Sequence, residues 1–240
     1  MSGAGPMEPE GAEHSEPFYE DETYRVTVRP GVSDTGIIAF GGIGLALDGI
    51  QIEEFGRSLR GEHSVFFVID KARSWWNHGD VLALLDDVVG AAHDAGICEL
   101  AAIGNSMGGS GALLAAHCFD EISRCLALVP QADVRMSQTL ETRWIPLRER
   151  IEIHRFETFA LAPRAGEARI VFGARGPDEI QRRLFVEGGL PIDVVEGYDH
   201  ELASRAKRED PRFYRSLVAF VTEGTPIAWP DRERGPDLSS

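Results

Sequence analysis

Residues 98–114 read CELAAIGNSMGGSGALL, and this stretch decides the fold. Its apolar first half predicts a buried strand, and its small residues after Gly108 predict a helix. Between them, Gly104-Asn105-Ser106-Met107-Gly108 matches the G-x-S-x-G pattern, which at a strand-to-helix junction is typical of a nucleophile elbow. The glycines remove side chains where strand and helix approach, and the turn is expected to hold Ser106 in a strained backbone conformation. Ser106 is therefore the first candidate for a chemical role.

Outward from this stretch, strand-like and helix-like segments alternate along the chain. The predicted strands cover 36–40, 64–70, 100–104, 125–130, 168–173 and 192–196, with an edge strand at 24–29. The predicted helices cover 52–59, 81–93, 111–119, 179–187 and 213–222. This alternation predicts an α/β fold with a mostly parallel sheet and helices on both faces.

The alternation places one domain at residues 24–223, flanked by two tails. Residues 1–23 are acidic and predict a disordered tail, whereas 224–240 are rich in turn residues and predict a loose one. Residues 131–167 are too long for an ordinary connection and read as an insertion before the next strand. That insertion is either a small cap over the site or a peripheral helix with a solvated charged face.

The formal net charge of −15 argues against nucleic-acid binding and against adsorption to anionic membranes, which both need clustered cations. No signal-like or membrane-spanning segment is recognisable, so a cytoplasmic location is expected. Cys98, Cys118 and Cys125 lie in apolar stretches without a C-x-x-C pair, which predicts buried, reduced thiols. No metal-binding or dinucleotide motif is present, so neither a metal nor an organic cofactor is expected.

A serine nucleophile needs a base and an orienting acid, and both should follow strands at the carboxyl edge of the sheet. His200 follows the last predicted strand and is the candidate base, while His78 and His154 remain possible substrate contacts. Asp178 follows the strand at 168–173 and is the preferred acid. Asp133 and Glu179 are the alternatives.

The carboxyl ends of the strands also suggest how a substrate could be held. The Gly41-Gly42 turn can aim the N–H of Gly42 at a carbonyl oxygen, and with the N–H of Met107 it would form an oxyanion hole. The alternatives for this turn are an ordinary glycine-rich connection or a phosphate-binding loop. Aromatic side chains could line a substrate pocket or could simply pack; they are Trp75, Trp76 and, in the insertion, Trp144. The insertion's arginines could attract an anionic group of the substrate; they include Arg143, Arg148 and Arg150.

The elbow, the Gly41-Gly42 turn, Asp178 and His200 together make residues 24–223 resemble the α/β-hydrolase superfamily. Within it, IGNSMGGSGALLAAH followed by LVPQADV is similar to a bacterial group with little assigned biochemistry. The resemblance implies a serine hydrolase that cleaves an ester or thioester of a small-molecule acyl substrate through an acyl-serine. An acyltransferase using the same acyl-enzyme is the first alternative. A non-catalytic binding module is the second. A His200 ring unable to approach Ser106, or the lack of an N–H pair facing the Ser106 hydroxyl, would favour it.

Overall fold

A computed structural model describes residues 17–44, 51–59, 61–136 and 140–230. Within these residues eight strands form one sheet in the order β1-β2-β4-β3-β5-β6-β7-β8. The strands are Tyr19–Glu20 (β1), Tyr24–Arg29 (β2), Thr35–Phe40 (β3), Ser64–Asp70 (β4), Glu99–Asn105 (β5), Ile122–Leu128 (β6), Glu167–Gly173 (β7) and Asp193–Val195 (β8). β2 pairs antiparallel with β1 and β4, and every other pairing is parallel. The predicted mostly parallel sheet is confirmed.

The helices of the described residues connect and cover these strands. They are Val81–Asp94 (α1), Met107–Cys118 (α2), Ile145–Arg148 (α3), Glu179–Glu187 (α4), Leu202–Glu209 (α5) and Pro211–Glu223 (α6). α1 and α6 begin at aspartates that cap them: Asp80 accepts from the N–H of Ala83, and Asp210 accepts from the N–H of Phe213. α6 ends at Gly224, whose φ of 69° is the left-handed conformation of a helix C-terminus.

The core lies on both faces of the sheet. Every residue of β3 and β4 is buried, although successive side chains point to opposite faces, so both faces are covered. α2 is made mostly of small residues and is buried almost throughout, because it lies against the centre of the sheet. The predicted helices on both faces are therefore confirmed.

Parallel strands bring their carboxyl ends to one edge. β3 to β8 run in the same direction, so the residues that follow them share that edge. Gly42 follows β3, Ser106 follows β5, Asp178 follows β7 and His200 follows β8. The sheet thus collects four of the predicted site residues at one place.

Two helix assignments differ from the predictions. Residues 52–59 form turns rather than a helix: Phe55 has a φ of 64°, and Arg29 donates to the carbonyls of Gly56 and Leu59. α5 was not predicted, because it buries only Leu202 and Ala206.

The strand predicted at the edge of the sheet is not its outermost strand. β2 lies one strand inside the edge, since β1 pairs with it. β1 falls within residues 1–23, for which a disordered tail was predicted; residues 1–16 lie outside the described part of the chain. Residues 224–230 form neither helix nor strand, and 231–240 also lie outside the described residues.

Candidate active site

Ser106 lies at the turn between β5 and α2. Its φ of 55° and ψ of −123° confirm the strained conformation expected of the elbow. The close approach explains the glycines: a Cβ on Gly104 would lie 2.0 Å from the carbonyl oxygen of Gly108, and one on Gly108 would lie 2.2 Å from that of Phe40. The N–H of Ser106 donates to Leu128 at 2.8 Å, which ties the turn to β6. The elbow is therefore held from both neighbouring strands.

A chain of hydrogen bonds runs from Ser106 to the two residues predicted as base and acid. Ser106 Oγ lies 3.2 Å from His200 Nε2, and His200 Nδ1 lies 2.9 Å from Asp178 Oδ1 and 3.1 Å from Oδ2. Asp178 has no exposed surface, whereas the His200 side chain keeps 26% of its surface open. The imidazole thus has a buried carboxylate on one nitrogen and the serine hydroxyl on the other.

The alternative acids lie elsewhere. The carboxylate of Asp133 accepts from the backbone N–H, Nε and Nη2 of Arg135. Glu179 is exposed at the start of α4. Among the three candidates, Asp178 is the one hydrogen-bonded to His200.

Arg143, in the insertion, lies against Asp178. Its Nη1 donates to Asp178 Oδ1 at 2.8 Å. Burial favours the neutral acid, but the hydrogen bond from His200 and the charges of His200 and Arg143 outweigh it, and the pKa of Asp178 is lowered. Asp178 is therefore ionised at neutral pH. The sequence had suggested that Arg143 attracts a substrate anion, whereas in the structure it binds carboxylates of its own chain.

The three predicted aromatic residues take two different places. Trp75 and Trp76 have no exposed surface, so they do not line an open pocket and that expectation is corrected. Their indole N–H groups instead donate to Gln131 Oε1 and to the carbonyl of Met107, both at 2.8 Å, because buried indoles need acceptors. The ring of Trp144 lies 5.5 Å from that of His200, so Trp144 borders the site.

The predicted oxyanion donors differ in their surroundings. The N–H of Met107 opens α2, at a position that has no acceptor within the helix. The N–H of Gly42 donates to Glu54 Oε1 at 2.9 Å. Burial raises the pKa of Glu54 to about 7, and the hydrogen bond from Gly42 opposes that rise. Gly42 thus has a carboxyl on the N–H that was predicted to receive an oxyanion.

Gln131, which follows β6, was missed by the sequence analysis. Its Nε2 lies 3.4 Å from Ser106 Oγ and also donates to the carbonyl of Val129, while its Oε1 accepts from Trp75. Gln131 is fully buried and lies beside Ser106 on its inner side. Gln131 directly follows a predicted strand, and that position could have identified it as a candidate site residue.

A cavity of about 580 Å³ lies between the loop after β4 and the insertion. Its lining includes His78 and Asn77 from the loop and Leu147, Arg150 and Ile151 from the insertion. Ser106, Asp178 and His200 are not among the lining residues, so this cavity does not contain the hydrogen-bonded chain. His78 faces this open space, and its contact with a substrate stays a prediction. His154 is partly buried, and burial is the main cause that lowers its pKa.

Other expectations concern the cysteines, the insertion arginines, membranes and metals. Cys125 is buried, but Cys98 is exposed, which corrects the expectation that all three thiols are buried; all three are free. Arg148 is buried and donates to backbone carbonyls, including that of Val134 at 2.7 Å, so it is not available to a substrate anion.

In the part of the chain that the structure describes, no helix has the length and apolarity to cross a membrane. The same residues contain no cluster of three or more side chains suited to hold a metal.

Comparison with known proteins places the fold. No family model and no curated protein matches the sequence. Among solved structures, the chain is similar to a capsule O-acetyltransferase of Neisseria meningitidis serogroup A, with a TM-score of 0.53 and 15% identity over 80% of this chain and 90% of that one. It is also similar to an esterase of Pyrobaculum calidifontis, with a TM-score of 0.54 and 12% identity over 84% and 81%.

An acylaminoacyl peptidase of Pyrococcus horikoshii gives a TM-score of 0.55 and 12% identity over 85% of this chain and 40% of that one. At these identities the likeness is one of fold. Together with the sheet order and the helices on both faces, it establishes that the chain has the α/β-hydrolase fold.

Proposed function

We propose that this protein is a serine hydrolase that cleaves a carboxylic ester or thioester through an acyl-serine. The observation that carries the proposal is the 3.2 Å approach of His200 Nε2 to Ser106 Oγ, with Asp178 hydrogen-bonded to the other ring nitrogen. A binding module has no need of that arrangement, and the approach of the ring to Ser106 removes one of the two observations that would have favoured such a module. The esterase among the structures of similar fold is consistent with this chemistry.

In this mechanism His200 Nε2 takes the proton of Ser106 as Oγ bonds to the acyl carbon. The developing oxyanion accepts from the N–H of Met107, and the N–H of Gly42 becomes a second donor when it releases Glu54. His200 then gives its proton to the departing alcohol or thiol, which leaves an acyl-serine. Asp178 keeps the Nδ1 proton of His200 in place and stabilises the imidazolium, without taking that proton.

Water completes the hydrolysis. His200 takes a proton from a water molecule as the water oxygen bonds to the acyl carbon. His200 then gives that proton to Ser106 Oγ when the carboxylic acid leaves. Trp144 borders His200 and is proposed to contact the small-molecule acyl substrate. An acceptor alcohol in place of water would make the same acyl-enzyme an acyltransferase. The similarity to an O-acetyltransferase, 90% of whose chain is covered, favours keeping this second candidate.

The experiment that tests the proposal is labelling by a fluorophosphonate, followed by intact-protein mass spectrometry. The wild type is expected to gain one adduct, and Ser106→Ala none. Ser204→Ala is the matched control: Ser204 lies on α5, where its hydroxyl donates to the carbonyl of Glu201, and its loss should leave labelling unchanged. Folded wild-type protein that gains no adduct would refute the mechanism. Products from an acyl ester incubated with and without an acceptor alcohol would then separate hydrolysis from acyl transfer.

A further inference from the structure

Arg143 joins two carboxylates that have almost no access to water. Its Nη1 donates to Asp178 at 2.8 Å, while Nε and Nη2 donate to the two oxygens of Glu141 at 2.9 Å and 2.6 Å. The Asp178 side chain is 0% exposed and that of Glu141 is 2% exposed. Two buried negative charges are expensive without a cation, so the guanidinium is what allows both acids to be charged here.

The geometry of these contacts is specific to arginine. A guanidinium presents its N–H groups as a planar fork, which can bind one carboxylate through two nitrogens and a second carboxylate through the third. Oδ1 of Asp178 receives both Arg143 Nη1 and His200 Nδ1, at 2.8 Å and 2.9 Å. Arg143 therefore holds the carboxylate through the same oxygen that accepts from the imidazole.

The same segment contacts the imidazole directly. The guanidinium carbon of Arg143 lies 4.3 Å from the centre of the Trp144 ring, and that ring lies 5.5 Å from the ring of His200. Arg148 anchors the segment, since its buried guanidinium donates to the carbonyls of Val134 and Glu141. Arg143 and Trp144 are thus presented to Asp178 and His200 by a well-anchored part of the insertion.

We propose that Arg143 is a positioning residue: from the insertion it fixes the carboxylate of Asp178, and through it the His200 ring that serves Ser106. This inference rests on the proposed function, because it concerns how the same site is kept in working order. Loss of Arg143 would therefore cost the alignment of Asp178 with His200.

The charged and titratable groups around His200 set the expected sign of a pH effect. Asp178 and Ser106 face the ring, and Arg143 faces Asp178 with Glu141 behind it. The neighbours of His200 in sequence, Asp199 and Glu201, turn to Arg205 and Ser204. Removing Arg143 deletes the positive charge beside Asp178 while both carboxylates remain, and this change favours a protonated imidazole. The acidic limb of the activity profile should then move to higher pH.

The test compares Arg143→Met, Arg143→Lys and Arg135→Met with the wild type. Arg135 is the matched control, because it binds Asp133 two residues earlier just as Arg143 binds Glu141, but it lies outside the hydrogen-bonded chain. The first measurement is the rate constant of fluorophosphonate labelling of Ser106 as a function of pH. Arg143→Met is expected to label at least about tenfold more slowly, with its acidic limb at higher pH.

Arg143→Lys keeps the positive charge but loses the planar guanidinium. The acidic limb of its pH profile should therefore stay in place while its labelling rate falls. Arg135→Met should match the wild type in both. If Arg143→Met labels at the wild-type rate with an unmoved limb, or if Arg143→Lys is indistinguishable from the wild type, the proposal is overturned.

The second measurement is the low-field proton NMR resonance of the His200 Nδ1–H, which needs no activity. It is expected to move or broaden in Arg143→Met and to stay unchanged in Arg135→Met. If the wild type is not labelled at all, the proposed hydrolase function fails, and this resonance alone decides the role of Arg143. A resonance that is the same in the wild type and Arg143→Met would then overturn the positioning role.

Discussion

A methyl group at Gly104 should damage this protein far more than one at Gly111 or Gly90. A Cβ there would lie 2.0 Å from the oxygen and 2.2 Å from the carbon of the Gly108 carbonyl, and 2.7 Å from the N–H nitrogen of Gly109. All three atoms belong to the backbone, so no side-chain rotation relieves the contact. To reach an ordinary separation of 3.4 Å, the start of α2 must move away from β5. That movement would displace Ser106 from His200.

Glycines with other neighbours complete a graded series. At Gly111 a Cβ would meet ring atoms of Trp76 and Phe40 at 2.5 Å and 2.7 Å, and rings can shift. At Gly90, inside α1, nothing lies within 4 Å. Overpacking typically costs about 1–3 kcal/mol, so we expect a loss of about 3 kcal/mol for Gly104→Ala and about 1–2 kcal/mol for Gly111→Ala. Gly90→Ala should instead gain about 0.5–1 kcal/mol, because alanine is the better helix former.

Urea unfolding followed by circular dichroism measures these free energies. With an m-value of about 3 kcal/mol/M, the midpoint should fall by about 1 M for Gly104→Ala and rise by about 0.2–0.3 M for Gly90→Ala. Labelling of Ser106 should be lost in Gly104→Ala and kept in Gly90→Ala. A Gly104→Ala protein with the wild-type midpoint would refute the close approach of β5 and α2. If Gly104→Ala does not fold, the order of Gly111→Ala and Gly90→Ala still tests the reasoning.

Three further predictions address the acid, a half-buried carboxyl and the thiols. Asp178→Asn should lower the labelling rate by about 10⁴-fold, because the imidazole loses its orienting carboxylate. Asp133→Asn should keep most of the wild-type labelling rate. A larger loss in Asp133→Asn than in Asp178→Asn would contradict the assignment of Asp178 as the acid. The pKa of Glu54 is raised from 4.5 to about 7, so its burial costs nothing below pH 4.5 and increasingly destabilises the fold as pH rises to 7. Glu54→Gln should therefore match the wild type at pH 4 and exceed its stability by about 3 kcal/mol at pH 8, as urea titrations at both values would measure; a pH-independent difference would contradict this. A thiol reagent should modify Cys98 rapidly in the native protein and Cys125 only on unfolding, since Cys98 is exposed and burial raises the pKa of Cys125; equal rates for the two would contradict the burial.

The fold and the hydrogen-bonded chain were predictable because both follow from local pattern and strand direction. Apolar runs separated by turns located β3 to β7 to within a few residues, and a parallel sheet forces the residues after its strands to one edge. Ser106, Asp178 and His200 each follow such a strand. The helix predicted at residues 52–59 is wrong because Arg29, which is distant in sequence, donates hydrogen bonds to two of their carbonyls. α5 failed it because two buried positions are too few to make an apolar stripe.

Arg143 shows where local pattern stops being informative. Glu141 and Arg143 form an ion pair between residues two apart in sequence, as Asp133 and Arg135 do. The spacing therefore does not distinguish the two pairs. Arg143 reaches Asp178, which is hydrogen-bonded to His200, whereas Arg135 lies against Asp133 and Glu157. Residues that follow strands obey a positional rule, whereas residues inside an irregular insertion obey none. The contacts that tune a site built on a regular sheet are therefore the ones most easily missed in its sequence, and in this chain they come from the segment whose role as cap or peripheral helix the sequence had left open.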